Sequence, residues 1–322
     1  MITVFISYGG PDEEFARRIN RILIDASIKT FFFPDSAKPG EKLHRVMRDN
    51  INSFDKTLFI CSEGSLNRPG VLNELEETLQ REAREGGEQI LIPINLDDYV
   101  FTHWDPPRSG LKQAILDRVV GNFIGAAEDD DIFFRSMQGL LAVFGSSLTL
   151  TIINSEVILD LNNTGDCCIV TMRRTFVAFV EKKEILYSGL NSTGTITPVS
   201  TSYGRINPMT TEGGNKAIVV VFDKPLPVNR VVTHSLTVEH KNAFIESIES
   251  YSVHRMNNAN KFSITVNFPD SRPVKEAYLK YNESSKESMN SDIVYISPNR
   301  KAIHFEIENP IKGSYYNLVW SW

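Results

Sequence analysis

A single glutamate, Glu74, stands at a position where its carboxylate could act on a bound ligand. It lies in the stretch 62–79, SEGSLNRPGVLNELEETL, which directly follows the apolar run 57–61. Leucines at 72, 75 and 79 repeat at helical spacing, and Pro69 is typical of the first turn of a helix. Ligands of open α/β sheets bind beyond the carboxyl ends of the strands, where a carboxylate can stabilise developing positive charge. On position alone, a solvated first-turn acid favoured by the helix dipole is the alternative, since the pattern presents Glu74 beside the leucine face rather than on it.

The elements that position Glu74 alternate between strands and helices from residue 1 to about residue 145. Apolar runs of strand length occupy 2–6, 29–33, 57–61 and 89–96. Segments at helical spacing occupy 15–23, 43–51, 72–79, 113–120 and 132–144. Since this alternation is the pattern of crossover connections, we predict an α/β domain over residues 1–145 with a parallel sheet covered on both faces.

The sequence changes character near Gly145. From residue 148 onward, short segments alternate apolar and polar residues and are separated by turn residues. This pattern predicts an all-β antiparallel sandwich domain over 146–322, with a possible seam between two subdomains near Pro225. The window 242–250 is a short segment with helical spacing. The last segment places aromatic and apolar side chains on one strand face, which predicts a final strand closing a core, with an exposed stacking ledge as the alternative. These side chains are Tyr316, Leu318, Trp320 and Trp322.

Composition limits the classes of function. The chain has 322 residues and a net charge of −6; residues 1–145 hold 16 Lys+Arg against 23 Asp+Glu, and residues 146–322 hold 18 against 17. Neither half has the basic excess of a nucleic-acid-binding protein. No apolar run reaches the roughly 20 residues of a membrane span, and the start MITVFISYGG is typical of a strand rather than a signal peptide. We therefore expect a cytoplasmic protein without a metal site, a disulfide framework, or nucleic-acid or membrane partners.

Five segments of the first half, in order, resemble the motifs of TIR domains of the bacterial type. Each motif is weak alone, but their order is specific, and together they cover about 145 of the 322 residues. The segments are VFISYGGPD (4–12), FPD leading to KPGE (33–41), ICS with Ser65, Val71 and Glu74-Leu75 (60–75), LIPINLDD (91–98) and RVVGNF (118–123). The resemblance implies a flavodoxin-like parallel sheet for residues 1–145 and says nothing about the second half.

The resemblance also implies an activity. TIR enzymes of this kind break the bond between nicotinamide and ribose in NAD⁺, which is then a substrate and not a cofactor, and the glutamate of the family corresponds to Glu74. By the same resemblance, Ser7, Tyr8, Phe33 and Ser62 would line the crevice on loops after the first three strands. Each has an alternative: the serines as helix-capping or turn hydroxyls, and the two aromatic residues as core side chains.

One position departs from the family pattern. Many enzymatic members carry a tryptophan four residues before the glutamate, where this chain has Gly70. Trp104, on a loop after the fourth strand, is the candidate for supplying the missing aromatic surface. A crevice completed on assembly is another explanation, because the loop matching Lys38, Pro39, Gly40 and Glu41 commonly mediates contacts between TIR domains in the family. The same loop is equally consistent with a plain turn.

The leading hypothesis is therefore a bacterial immune effector that cleaves NAD⁺. It is activated by self-association, or by a protein or small molecule that its C-terminal β domain senses. In a variant of this hypothesis the enzyme makes a cyclic ADP-ribose-type signal, because a nucleophile within the substrate can capture the ribose in place of water. The alternatives are a non-enzymatic TIR adaptor, which Gly70 favours, and a carbohydrate- or protein-binding role for the β domain.

Overall fold

The computed structural model describes residues 2–33, 43–108, 110–212, 215–254, 259–283, 286–290, 293–310 and 313–322. Contacts between Cα atoms divide the chain into two compact units, Met1–Leu148 and Thr149–Trp322. We describe each unit by itself as unit 1 and unit 2.

Unit 1 alternates strands and helices along the chain. Its elements are β1 (Thr3–Ser7), a 3-10 turn (Gly10–Asp12), α1 (Glu13–Asp25), β2 (Lys29–Phe31), α2 (Leu43–Ser53), β3 (Lys56–Cys61), α3 (Glu63–Leu66), α4 (Pro69–Arg84), β4 (Leu91–Asn95), α5 (Tyr99–Thr102), α6 (Leu111–Leu116), β5 (Gly121–Asn122) and α7 (Asp130–Val143). The predicted helix over 113–120 begins earlier and ends at Leu116, and the two-residue strand β5 follows it.

All strand pairs of unit 1 are parallel, and their order in the sheet is β2-β1-β3-β4-β5. The predicted α/β domain with a parallel sheet is thereby confirmed. The chain crosses from β1 to β2 on one side and returns to β3 on the other side of β1. This reversal makes the β1/β3 boundary the switch point at which doubly wound sheets bind ligands.

Helix α4 packs its apolar face onto the sheet and the neighbouring helices. Val71 and Leu75 join a buried cluster with Phe59 and Trp104. Glu74 also lies on the buried face of α4, with only 8% of its surface exposed. Thr78, one turn later, lies on the same face, and its hydroxyl contacts that of Thr57 in β3. The leucine pattern of the sequence therefore understates how far Glu74 is buried.

Unit 2 consists of β-strands and connecting loops. Its strands are β6 (Leu150–Leu161), β7 (Cys167–Ala178), β8 (Glu184–Leu190), β9 (Thr195–Thr201), β10 (Arg205–Ile206), β11 (Thr210–Glu212), β12 (Asn215–Val221), β13 (Val231–Lys241), β14 (Ile248–His254), β15 (Lys261–Asn267), β16 (Glu276–Glu283), β17 (Lys286–Asn290), β18 (Val294–Ile296), β19 (Ala302–Glu308) and β20 (Tyr315–Ser321).

The strands of unit 2 form three sheets around one continuous hydrophobic cluster. The largest has the order β18-β19-β15-β6-β7-β13-β9, and two four-stranded sheets join β8 with β10–β12 and β14 with β16, β17 and β20. Nearly all neighbouring strands are antiparallel, as predicted, but β6 and β15 pair in parallel. The alternation of apolar and polar residues is a local pattern and cannot predict this pairing, because the two parallel strands are far apart in the chain.

Two local predictions for unit 2 have different outcomes. The predicted helical window 242–250 is wrong, because residues 242–247 form a loop and β14 begins at Ile248, where it pairs with the last strand. The prediction that the C-terminal strand closes the core is confirmed. Tyr316 and Leu318 are fully buried, and Trp320 and Trp322 are 1% and 6% exposed.

Candidate active site

The centre of the candidate site is a hydrogen bond between Ser7 and Glu74. Ser7 is the last residue of β1, and Glu74 lies in the second turn of α4, after β3. Because β1 and β3 are neighbours in the sheet, the Ser7 hydroxyl reaches the carboxylate and donates to Oε2 at 2.6 Å. The Ser7 side chain is fully buried, so its direction is fixed by packing.

Burial changes the acidity of Glu74. Removal of the carboxyl group from water raises its pKa from the ordinary 4.5 to about 7, although the hydrogen bond from Ser7 lowers it in part. A carboxyl group with this pKa exchanges its proton near neutral pH. Such a perturbed acid beside a cavity is a candidate for catalysis.

Glu74 lines a cavity of about 470 Å³ at the carboxyl ends of β1 and β3. This volume lies within the range of small-molecule sites, roughly 300–1,000 Å³. The remaining lining comes from the loop after β1 and from the start of α4: Tyr8, Gly9, Gly10, Pro11, Arg68, Gly70 and Val71. The cavity therefore holds one acid, one guanidinium and an aromatic ring on an otherwise small and apolar wall.

Asp12 fixes the loop wall of the cavity. Its Oδ2 accepts hydrogen bonds from the hydroxyls of Ser62 and Ser65, each at 2.5 Å, and the Ser65 hydroxyl in turn accepts from the Gly9 amide at 2.6 Å. Gly9 packs so closely that an added Cβ would lie 2.7 Å from the carbonyl oxygen of Gly64. The loop is thus held against α3 by polar contacts and by close backbone packing.

The sequence-predicted residues do not all meet at the cavity. Tyr8 and Glu74 line it, and Ser7 bonds to Glu74. Ser62 lies nearby but acts as the N-cap of α3, since its oxygen accepts from the Ser65 amide at 2.9 Å. Capping was the stated alternative for this serine.

Of the three predicted aromatic residues, Tyr8 lines the cavity, whereas Phe33 and Trp104 are not among the described residues of its lining. Phe33 is 36% exposed after the end of β2, whereas its neighbour Phe32 is buried and stacks on Tyr8 with 5.5 Å between ring centroids. Trp104 is 2% exposed and packs in the cluster with Phe59 and Leu75, so it does not supply an aromatic surface. Its large apolar ring is better buried against α4 than left at a polar crevice.

Gly70 leaves one side of the cavity open. An added Cβ at this position would meet no heavy atom of the described residues within 4 Å. The position therefore has room for a Cβ atom, or for part of a ligand. The predicted assembly loop, Lys38, Pro39, Gly40 and Glu41, lies outside the described residues.

Arg68, Asp12, Gly9 and Gly10 were not among the predicted site residues, although Gly9, Gly10 and Asp12 belong to the first motif, VFISYGGPD. A signal for the glycines was their position directly after a strand of the parallel sheet, where ligands approach the backbone. Arg68 carried no pattern of its own, because an arginine before a helix is ordinarily a solvated residue. Its position on the cavity wall is what marks Arg68 as a site residue.

Among the described residues there is neither a metal-binding cluster nor a helix that could span a membrane. In this part of the chain, no group of three or more His, Cys, Asp and Glu side chains is placed to hold a metal ion. Among the same residues, none of the helices is long and apolar enough to cross a membrane.

Comparison with known proteins identifies a family for unit 1. The family model described as "TIR domain" matches residues 4–122. No curated protein matches the sequence.

Two solved structures to which the chain is similar have low TM-scores. An M1 zinc metallopeptidase from Deinococcus radiodurans is 11% identical with a TM-score of 0.35, over 54% of this chain and 42% of that chain. This chain thus spans less than half the length of that protein. The TIR domains of the activated Roq1 resistosome, which directly recognises the pathogen effector XopQ, are 22% identical with a TM-score of 0.29, over 46% of this chain and 87% of that chain. Since both TM-scores lie below 0.5, neither similarity carries a conclusion. The family match and the parallel sheet agree, and residues 4–122 of this chain are a TIR domain.

Proposed function

We propose that unit 1 cleaves the bond between nicotinamide and ribose in NAD⁺, with Glu74 as the catalytic carboxylate. The observation that carries the proposal is the buried Glu74, hydrogen-bonded by Ser7 at the wall of a ligand-sized cavity at the sheet's switch point. NAD⁺ is the substrate in this proposal, and no separate cofactor takes part.

The chemistry needs one carboxylate. When the bond between ribose C1′ and the pyridinium nitrogen breaks, its electron pair passes to the nitrogen, and nicotinamide leaves as a neutral molecule. No acid has to protonate this leaving group. Positive charge develops on C1′ and the ring oxygen of the ribose, and the ionised Glu74, itself largely buried, stabilises it electrostatically.

Capture of the ribose completes the reaction. A water molecule adds to C1′ and loses a proton, which yields ADP-ribose. Glu74 is suited to accept that proton, because its pKa lies near 7. A nucleophile within the same substrate would give a cyclic ADP-ribose-type product by the same bond cleavage, and the identity of the product is a separate measurement.

For the whole chain we propose a cytoplasmic bacterial immune effector with antiphage action. Unit 2 would sense a protein or a small molecule, or promote self-association of the TIR domains, and thereby control the destruction of NAD⁺. The support for this division is the change from an α/β unit to a separate β-rich unit after Leu148.

A non-enzymatic adaptor is the second candidate, and Gly70 is the observation that favours it. The cavity wall is open at Gly70, where an aromatic side chain would help to hold nicotinamide. An adaptor would use the surface of unit 1 for assembly and would not need the charge of Glu74.

Nicotinamide release by the purified full chain, with and without a crowding agent, tests the proposal. Glu74→Gln keeps the size of the side chain and removes its charge, and we expect it to lower kcat at least about 1,000-fold. The matched control is Glu77→Gln on the same helix, whose carboxylate pairs with Arg84 outside the cavity. A folded wild-type protein that releases no nicotinamide under either condition would overturn the proposal and favour the adaptor.

A further inference from the structure

We propose that Arg68 binds the pyrophosphate of the substrate and makes unit 1 selective for phosphate-bearing nicotinamide nucleotides over nicotinamide riboside. The inference rests on the proposed function and adds a specificity-determining residue to it.

The guanidinium of Arg68 is not neutralised by a neighbouring acid. Other arginines of unit 1 form ion pairs, for example Arg18 with Asp130 at 2.6 Å and Arg81 with Glu85 at 2.7 Å. Within the described part of the chain, no carboxylate lies within ion-pairing distance of Arg68. Its one polar contact is long, from Nε to the carbonyl oxygen of Gly64 at 3.4 Å. The charge is therefore available to a ligand.

Arg68 and Glu74 lie apart on the wall of the same cavity. Among the described residues of its lining, Arg68 and Glu74 alone carry charge, and no ion pair joins the two. The pKa of Glu74 is raised by burial and lowered in part by the hydrogen bond from Ser7. A ligand can therefore place a positively charged ring and ribose at Glu74 and a negative group at Arg68 without the two side chains cancelling each other.

The covalent structure of the substrate fits this separation. Its pyrophosphate is attached to C5′ of the same ribose whose C1′ carries nicotinamide. A cation on the same cavity wall is thus positioned for the phosphate while C1′ stays near Glu74. Gly70, which lies between Arg68 and Glu74 in the sequence and also lines the cavity, has no side chain that would occupy it.

A local cation favours the binding of such a substrate. Unit 1 has a net charge of −7, from 16 Lys+Arg and 23 Asp+Glu over residues 1–145, and therefore repels a pyrophosphate at long range. A guanidinium in the cavity offsets this repulsion at the binding site. Its planar pair of N–H groups can donate to two phosphate oxygens at once, whereas the ammonium group of lysine supplies the charge without this paired geometry.

The kinetic test compares NAD⁺ with nicotinamide riboside as substrates for the full chain. We expect Arg68→Gln to raise KM for NAD⁺ about 10- to 100-fold and to leave kcat/KM for nicotinamide riboside within about twofold of the wild-type value. Arg68→Lys should retain part of the affinity for NAD⁺. The matched control is Arg135→Gln, since Arg135 is exposed on α7 outside the cavity and should leave both substrates unaffected. An equal loss for both substrates would overturn the inference.

A binding measurement separates failure of this inference from failure of the proposed function. Isothermal titration calorimetry with ADP-ribose requires no turnover. Binding that weakens at least about 10-fold in Arg68→Gln and is unchanged in Arg135→Gln supports the phosphate role of Arg68 even if the wild-type protein releases no nicotinamide. Equal binding by wild type and Arg68→Gln, or no binding by the wild type at millimolar ADP-ribose, would overturn it even if NAD⁺ is cleaved.

Discussion

The Ser7 hydroxyl donates to Oε2 of Glu74 at 2.6 Å, although 67 positions separate the two residues in the chain. The contact exists because β1 and β3 are adjacent and parallel, so that the last residue of one strand faces the helix that follows the other. The hydrogen bond stabilises the ionised form of a carboxyl group that burial would otherwise keep protonated. It therefore links the strand order of the sheet to the charge of the proposed catalytic residue.

This relationship predicts how NAD⁺ cleavage depends on pH. Because the ionised form of Glu74 is the active one, kcat/KM should rise with pH and level off above an apparent pKa of about 7. Ser7→Ala removes the hydrogen bond that lowers the pKa of Glu74, so the rise should move to higher pH. Initial rates between pH 5.5 and pH 9 provide the measurement, and a profile that is flat over this range would contradict the assignment.

The same buried acid predicts a pH-dependent stability. The pKa of Glu74 is about 4.5 in the unfolded chain and about 7 in the folded protein. The folded protein therefore holds the proton more tightly and loses stability as the pH rises between these values. A pKa rise from 4.5 to about 7 corresponds to about 3 kcal/mol. Glu74→Gln removes this effect, and its stability relative to wild type should improve by up to about this amount between pH 4.5 and pH 8. Urea unfolding of wild type and Glu74→Gln at pH 4.5 and pH 8 tests this prediction. A difference in unfolding free energy that is the same at both pH values would contradict it.

The open wall at Gly70 predicts a gain from a larger side chain. Gly70→Trp places an indole where an added Cβ meets nothing within 4 Å, and the position lies in the first turn of α4, so folding should be unaffected. Contact between the indole and the nicotinamide ring should lower KM for NAD⁺ about 2- to 10-fold. The control is Gly139→Trp, which adds the same ring on an open face of α7 away from the cavity. An unchanged or raised KM in Gly70→Trp would show that the substrate does not use this wall.

The adjacent glycines of the β1 loop should respond differently to alanine. Gly9→Ala would place a methyl group 2.7 Å from the Gly64 carbonyl oxygen and 2.8 Å from Cα of Ser65, so the loop must move from α3. Gly10→Ala meets nothing within 4 Å. We expect the first change to cost about 1–3 kcal/mol of unfolding free energy and to reduce cleavage, and the second to leave stability within about 0.5 kcal/mol. Thermal unfolding of both variants gives the comparison, and similar melting temperatures would contradict the packing described for Gly9.

A buried polar network in unit 2 gives a prediction independent of catalysis. The hydroxyl of Tyr187 bonds to Nδ1 of the buried His234 at 2.8 Å, and His234 Nε2 lies 3.1 Å from the carbonyl oxygen of Tyr203. Burial lowers the pKa of His234 and favours the neutral ring. The carbonyl oxygen of Tyr203 can only accept, so Nε2 carries the proton and Nδ1 accepts from Tyr187. Tyr187→Phe leaves this nitrogen unpaired and should cost about 1–3 kcal/mol. Tyr295→Phe, at a side chain 60% exposed, is the control in urea unfolding, and equal stabilities of the two variants would contradict the network.

The amino-acid sequence determined the class of both halves and the position of Glu74. Hydrophobic periods of two and of about 3.6 residues are local properties, and they predicted the alternating strands and helices of unit 1, the strands of unit 2 and the buried face of the last strand. The motif order also predicted the TIR domain that the family model matches. The prediction of a helix at 242–250 is wrong, because the pairing of β14 with β20 determines the conformation of that segment and the helical spacing of its apolar residues does not.

Only the tertiary structure decided which side chains meet at the site. Phe32, directly after the end of β2, is buried and stacks on Tyr8, whereas Phe33 is 36% exposed. Trp104 joins the core, whereas Arg68, which had no sequence signal, lines the cavity. The acidity of Glu74 depends on burial beside Ser7. Contacts between distant residues follow from strand order and strand register, and these are set by packing across the whole unit rather than by neighbours in the chain.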